Sequence, residues 1–397
     1  MSGHRGPDPR AALAPGDRAA AVVDLTAIAD NTALLRQRAA GAEVMAIVKA
    51  DAYGHGLVPC ASAARGAGAG WLGVALISEA LTLRAAGDTG PLLAWLTTPG
   101  EDLAAAVAAD VDLSVADVAG LWAVSAAAAQ AGAAARIHLK IDTGLGRNGS
   151  PRADWPALCA AAGQAQAGGT VEVIGVWTHL AFADSPGHPT IRAQIAAFDE
   201  AWQLAERVGL HPHLRHLANS AATLTLPAAH YDLVRPGIAV YGISPGGEVP
   251  DARSLGLRPA MALVARLSLA KDLPADHGLS YGHEYRTTMD TRVALLPLGY
   301  ADGLPRHAGG AGPVLIDGRR CTIAGRVCMD QVVVDVGPAA AVGAGDVAVL
   351  FGDPERGEPG VSDWARAAAT IDYEIVTRIG PRVPRRYLGG DAPGDPR

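Results

Sequence analysis

Thiols are scarce in this chain, and nothing in the sequence marks it for export. Its 397 residues include only Cys60, Cys159, Cys321 and Cys328, with no CxxC pair, which argues against a disulfide framework or a thiolate metal knuckle. Four free thiols in a chain of this length fit a reducing compartment. No segment offers roughly 18 uninterrupted apolar residues, and the N-terminus has no apolar core followed by a small-residue cleavage site. Positive charge is also short: 33 Lys and Arg against 40 Asp and Glu leave a net charge of −7 and a pI near 5.9. No global field recommends a polyanion. A cytoplasmic protein with no nucleic-acid and no membrane partner is therefore expected.

Apolar composition, by contrast, is high at 49%, ample for large buried cores, and the length suggests two or three domains. From about residue 21 to 240, short Val/Ile/Leu-rich runs alternate with longer Ala-rich segments, the pattern of βα units. An opening strand at Val22–Leu25 and a helix near Thr26–Ala40 precede eight parallel-strand candidates. These are Val44–Lys49, Trp71–Leu76, Leu92–Leu96, Val111–Val115, Arg136–Ile141, Val171–Thr178, Leu214–Leu217 and Asp232–Arg235. The longest helical stretch is His188–Val208. Eight repeats suit an α/β fold of the closed (β/α)8 TIM-barrel type better than an open doubly wound sheet.

After Tyr241 the composition changes: Pro245, Gly246, Gly247, Pro250 and Gly256 punctuate the chain, and a linker is expected near 242–256. Short strands follow at Met261–Leu269, Thr291–Pro297, Pro313–Ile316, Arg319–Val327, Gln331–Val336 and Asp346–Phe351. A helix at Val361–Thr370 and a closing strand near Tyr373–Arg378 complete a mostly-β second domain. The expected organisation is a disordered tail over 1–20, a barrel over 21–255, a C-terminal β domain over 256–388 and a tail over 389–397.

Barrel enzymes place their chemistry where the strands end, so the residues at those ends carry the argument. The first barrel strand delivers Lys49 to a loop broken by Gly54 and Gly56. A lysine held among apolar groups loses its proton more readily and can attack an aldehyde to form a Schiff base. Lys140 ends the fifth strand before Asp142-Thr143-Gly144-Leu145-Gly146-Arg147, His179 follows the sixth, and Arg235 ends the eighth. The seventh exits at Ala218-Asn219-Ser220 into a short helix which, with the Gly237 and Ile238 amides, offers a phosphate its donors. Singly, each has an ordinary structural reading; five at one mouth do not. His211, His213 and His216 lie on an extended segment without carboxylate or cysteine spacing, so no metal site is expected.

The motifs Val48-Lys49-Ala50-Asp51-Ala52-Tyr53-Gly54-His55-Gly56, Lys140 to Gly149, Thr178-His179, Ala218-Asn219-Ser220 and Arg235-Pro236-Gly237-Ile238 resemble those of the alanine racemase family of fold-type III pyridoxal-phosphate enzymes. So do Ser280-Tyr281-Gly282, Gly299 to Gly303, Arg326 to Asp330 and Tyr373-Glu374, and the likeness runs over about residues 21–388. It implies racemisation of alanine with pyridoxal 5′-phosphate in a cytoplasmic homodimer with shared active sites, supplying D-alanine for peptidoglycan.

By that resemblance Lys49 carries the cofactor and is one catalytic base, with Tyr281, from the other subunit, as the opposing base. Tyr53, Ser220, Gly237, Ile238 and Tyr373 fall on phosphate-binding positions. His179 lines the cofactor, and Arg235, supported by His216, faces its pyridine nitrogen. Arg147 and the Met329 amide match the substrate-carboxylate site, Tyr300 constricts the pocket, and Lys140 matches a lysine that is often carbamylated. Leu145, Glu284 and Asp372 depart from the usual family residues without emptying a catalytic position. Two other readings stay open: a broad-spectrum amino-acid racemase, separable by pocket volume and larger substrates, and a non-catalytic pyridoxal-phosphate-binding protein, which has no use for a second domain bearing Tyr281.

Overall fold

A computed structural model describes residues 8–338 and 340–390; the first seven and last seven residues of the two expected tails lie outside the described residues. The chain divides into two compact units: one holds 29–52 and 57–257, the other 1–28, 53–56 and 258–397.

The first unit is the barrel. Counting from β1 (Ala19–Asp24), its strands are β2 (Glu43–Ile47), β3 (Trp71–Leu76), β4 (Leu92–Leu96), β5 (Asp112–Val115), β6 (Ala135–Lys140), β7 (Val171–Trp177), β8 (Leu214–His216) and β9 (Leu233–Val234). They pair in parallel from β2 through to β8, and β9 pairs back onto β2. The ring closes where Arg235 N donates to Ala218 O at 2.8 Å and Asp232 N to Arg215 O at 3.2 Å, beside an Arg215–Asp232 ion pair of 2.8 Å. These are the eight expected strands, each within three residues at its ends. Near-continuous apolar runs identified β2, β3 and β4, because a strand covered on both faces has no polar side to show.

Local signals also start and stop the helices. Asp117 caps Val118–Ala131 by accepting from Gly120 N at 2.6 Å, and Gly132, at φ 70°, ends it in the left-handed region. Pro189 opens Pro189–Arg207 at a position where no amide hydrogen is needed.

The second unit is built on a six-stranded sheet of order β16-β15-β18-β10-β1-β19, with β10 (Met261–Arg266), β15 (Pro313–Ile316), β16 (Arg319–Thr322), β18 (Val347–Phe351) and β19 (Arg385–Leu388). A three-stranded sheet joins β11 (Leu269–Leu273), β14 (Thr291–Leu296) and β17 (Val332–Asp335), and a hairpin pairs β12 (Gly278–Leu279) with β13 (Tyr285–Arg286). Leu13, Val22, Val264, Leu315 and Val349 form one buried cluster here.

Three expectations change. The opening strand belongs to this unit: β1 pairs antiparallel with β10 and parallel with β19, so residues 21–28 leave the barrel. The tail expected over 1–20 is, from residue 8, structured: Pro9–Ala12 form a 3-10 turn and Leu13 is buried. The strand expected near Tyr373–Arg378 is the helix Asp372–Thr377; its β-branched Ile375, Val376 and Thr377 misled, while Asp372 and Glu374 in the first turn complement the helix dipole. The closing strand lies later, at β19. No helix among the described residues is long and apolar enough to cross a membrane.

Candidate active site

The peptide after β2 winds the wrong way. Ala50, Asp51, Ala52 and Tyr53 have φ of 54°, 53°, 52° and 54°, one turn of left-handed helix closed by Ala52 N on Val48 O at 2.8 Å. Left-handed backbone with a Cβ is disfavoured, so neighbouring groups must hold it. Glu79 does: one carboxylate oxygen accepts from Ala50 N at 2.6 Å, and the other from Ala75 N and Leu76 N at 3.0 Å each. Asp51 accepts from Leu57 N at 2.7 Å where the chain resumes a right-handed helix. This turn begins at Lys49 and sets where its side chain departs.

Lys49 Nζ stands 5.7 Å from the Trp95 ring centroid, and Trp95 meets Trp177 edge-on at 6.2 Å. Lys140 Nζ sits 4.1 Å over the same Trp177 ring and the Arg235 guanidinium 4.9 Å from it. Burial pushes the Lys49 ammonium below its ordinary pKa, the Arg147 charge adds to this, and Glu79 opposes it. Lys140 is driven down further, to about 7, by burial and then by Arg235, Arg147 and Lys49, with Asp142 offsetting. Burial and the same cations hold His179 neutral.

Arg147 reaches this mouth on a loop built by Asp142, whose carboxylate accepts from the amides of Gly144, Leu145 and Gly146 at 2.9–3.2 Å. Gly149, at φ 126°, lets the loop return: a Cβ there would lie 2.6 Å from Asp142 N. Thr143 meets Thr178 at 2.9 Å, and buried Gln194 ties Thr143 to His179 O, each at 3.1 Å.

Arg235 is buried and satisfied on several sides, donating to Thr178 O at 2.8 Å, Leu217 O at 3.2 Å, His216 Nδ1 at 3.2 Å and His179 Nδ1 at 3.4 Å. Burial lowers its pKa to about 9, so it remains charged near neutrality. Ser220 Oγ accepts from Gly237 N at 2.8 Å and Ala239 N at 3.3 Å. With both lone pairs engaged, its own hydroxyl hydrogen is directed elsewhere, at the start of a helix capped by Asn219. The mouth thus combines a deprotonable strand-end amine, a hydroxyl donor at a helix start and a guanidinium charged near neutrality. That donor set fits a phosphorylated aldehyde.

The remaining candidates lie in the second unit. Tyr53 is buried with its ring centroid 6.3 Å from that of Tyr373, and burial raises its pKa. Gly54 follows because a Cβ there would fall 2.4 Å from Val376 O. Tyr281, Tyr300 and Met329 are exposed, at 71%, 38% and 53%, and share one framework. Ser280 Oγ donates to Arg326 O at 3.0 Å, Tyr300 N to Cys328 O and Ala301 N to Met329 O at 3.0 Å each. Glu284 pairs with Arg326 beside them, and Asp372 binds Ser362. The predicted residues therefore fall into two groups, one in each unit: Lys49, Lys140, Arg147, His179, Ser220, Arg235, Gly237 and Ile238 in the barrel, and Tyr53, Tyr281, Tyr300, Met329 and Tyr373 in the β unit.

Sequence reading missed Glu79, Asp112 and His138. His138 was findable, since it stands two residues before Lys140 on β6, and alternate strand residues share a face. Glu79 carried no distinguishing signal beyond its place in the first turn of a helix.

Family models described as the N-terminal and C-terminal domains of alanine racemase match residues 23–245 and 260–387. An alanine racemase of Frankia casuarinae is 57% identical over 94% of this chain and 96% of its own length. One of Beutenbergia cavernae is 59% identical over 94% and 98%. The crystal structure of alanine racemase from D-cycloserine-producing Streptomyces lavendulae superposes with a TM-score of 0.93 at 57% identity, covering 94% of this chain and 97% of that one.

Proposed function

The chain belongs to the alanine racemase family, and on that premise we propose that it interconverts L-alanine and D-alanine by moving a proton between the two faces of the α-carbon. The observation that supports this best is Lys49, carried to the barrel mouth on a left-handed turn with its ammonium pKa depressed by burial and by Arg147.

Pyridoxal 5′-phosphate bound to Lys49 supplies the electron withdrawal that acidifies the α-proton. Ser220, the Gly237 and Ile238 amides, Tyr53 and Tyr373 would hold its phosphate, and His179 would line it. Arg235 would face its ring nitrogen as a donor-only group, charged near neutrality, and so would deliver no proton there. Arg147 and the Met329 amide orient the substrate carboxylate, while Tyr300 restricts the pocket to a side chain of alanine's size.

Racemisation needs one base on each face. Lys49 Nζ removes or returns the proton on one face, and the Tyr281 hydroxyl does so on the other. Tyr281 comes from a second copy of the chain, which makes the working unit a homodimer with shared sites. A residue of the barrel and one of the C-terminal β domain then complete each centre. The cellular role is cytoplasmic supply of D-alanine for peptidoglycan.

Purified protein loaded with the cofactor is incubated with L-alanine and D-alanine formation is measured, with larger amino acids in parallel. Activity on alanine that is lost in Lys49→Ala and much reduced in Tyr281→Phe is expected. An inactive wild type, or a Tyr281→Phe variant fully active in both directions, would overturn the mechanism.

A further inference from the structure

Below the mouth, four polar side chains run in file through the buried interior of the barrel. Arg235 Nη1 lies 3.2 Å from His216 Nδ1, His216 Nε2 lies 2.9 Å from His138 Nδ1, and His138 Nε2 lies 3.1 Å from Asp112 Oδ2. All four residues are at most 5% exposed. Arg136 closes the file, donating to Asp112 through Nε at 2.8 Å and Nη2 at 3.3 Å. His216 stacks on Trp177 with ring planes 2° apart, and His138 meets Trp71 edge-on at 5.4 Å.

The two ends determine the protons between them. Arg235 can only donate, so His216 Nδ1 must be a bare acceptor; burial and the Arg235 charge keep this ring neutral, which puts its hydrogen on Nε2. His216 Nε2 then donates to His138 Nδ1, which, as the acceptor, carries no hydrogen, and the ring hydrogen of His138 lies on Nε2, facing the Asp112 carboxylate that also accepts from Arg136. Every bond points the same way, from Arg235 towards Asp112, and aligned hydrogen bonds strengthen one another in a low dielectric.

We propose that Asp112 and His138 are positioning residues for Arg235: together they lock both imidazoles in the Nε2–H tautomer, so that His216 always presents a lone pair to the guanidinium. This rests on the assignment of Arg235 to the cofactor ring. The two residues touch neither substrate nor cofactor and act through His216. Asp112→Asn can reverse the file, because an amide donating to His138 Nε2 drives its hydrogen to Nδ1. His216 must then carry its own hydrogen on Nδ1, where it meets the Arg235 donor.

The test needs no cofactor for its first readout. In cofactor-free protein labelled with 15N at histidine, two-bond nitrogen–proton correlations report each tautomer. Both His138 and His216 are expected to show the Nε2–H pattern. In Asp112→Asn the His216 pattern is expected to change, although Asp112 touches only His138. In the holoenzyme the same variant is expected to lower kcat for alanine about ten- to a hundredfold with KM little altered. It should also shift the visible absorption of the bound cofactor and add no further loss in a His216→Phe background. An Nδ1–H or charged ring at either histidine in wild type overturns the proposal. So does an unchanged His216 in Asp112→Asn, or a full Asp112→Asn loss in the His216→Phe background. A wild type inactive on alanine would refute the functional reading and leave the tautomers standing.

Discussion

Four consecutive left-handed residues behind Lys49 need support from elsewhere, and part of it is traceable to Glu79. At about 1–2 kcal/mol per residue, the turn over 50–53 stores roughly 4–8 kcal/mol of backbone strain. Glu79 makes three amide-to-carboxylate hydrogen bonds, one that holds the turn at Ala50 and two, from Ala75 and Leu76, that anchor the carboxylate and the start of its own helix. Such bonds contribute about 1.5–3 kcal/mol each when buried, but Ala50 and Leu76 are exposed, so about 1 kcal/mol each is appropriate. Glu79→Ala should then destabilise the barrel by about 3 kcal/mol, and Glu79→Gln, which keeps one acceptor oxygen, by about half of that. Ala50→Gly should recover about 0.5–1 kcal/mol in either background, the strain relieved less the greater chain entropy of glycine. Tryptophan fluorescence during urea unfolding reads this unit well, because six of the seven tryptophans, all but Trp364, lie in the barrel. In the holoenzyme the pH limb that reports Lys49 should move to lower pH in Glu79→Gln, since the Glu79 charge is what raises that pKa. Wild-type unfolding midpoints in both Glu79 variants would refute the account of the turn; an unmoved pH limb would refute the electrostatic part.

In carbon-dioxide-free buffer, Lys140 titrates near pH 7 in the folded chain against 10.5 ordinarily, so between those values the unfolded chain binds more protons. Stability should therefore rise with pH across that window, and Lys140→Met should flatten the rise. A neutral amine also adds carbon dioxide, forming an N–C bond and releasing a proton; bicarbonate should raise activity in wild type and leave Lys140→Met unchanged. Gly299→Ala places a Cβ 2.3 Å from both Cys328 O and Met329 O, so the loop carrying Tyr300 and Met329 must shift. KM for alanine is expected to rise more than kcat falls; wild-type kinetics would remove the loop from substrate binding. Mixing Lys49→Ala and Tyr281→Phe protomers should restore part of the activity if two chains share a site, and verified exchange without recovery would count against it.

Much of this was legible before any coordinates. Short Val/Ile/Leu-rich runs located the barrel strands, and Lys49, Lys140 and Arg235 stood out as candidates because each lies at or just beyond the carboxyl end of one. The short helix opening at Ser220 and the turn at Gly237–Ile238, proposed here to hold a phosphate, were legible for the same reason: a helix start and a glycine turn are local features. The strand expected at Tyr373–Arg378 failed where propensity and context disagreed, and β-branched residues at Ile375 and Val376 proved to be core positions of a helix.

Local pattern thus sufficed for the barrel, the β-rich second unit, the family motifs and most candidate residues, since each depends on periodicity or on a few adjacent side chains. Three-dimensional packing was needed for everything that joins distant segments. β1 pairs with β10, some 240 residues later, because both are apolar on both faces, and nothing in β1 says which strand it will meet. The hand of the turn after Lys49 depends on Glu79, 30 residues on, and its four positive φ angles have no signature in Ala-Asp-Ala-Tyr. The file from Arg235 to Asp112 exists only because strand closure stacks β5, β6, β8 and β9 around one interior; alternation along β6 points His138 inward, but its partners come from other strands.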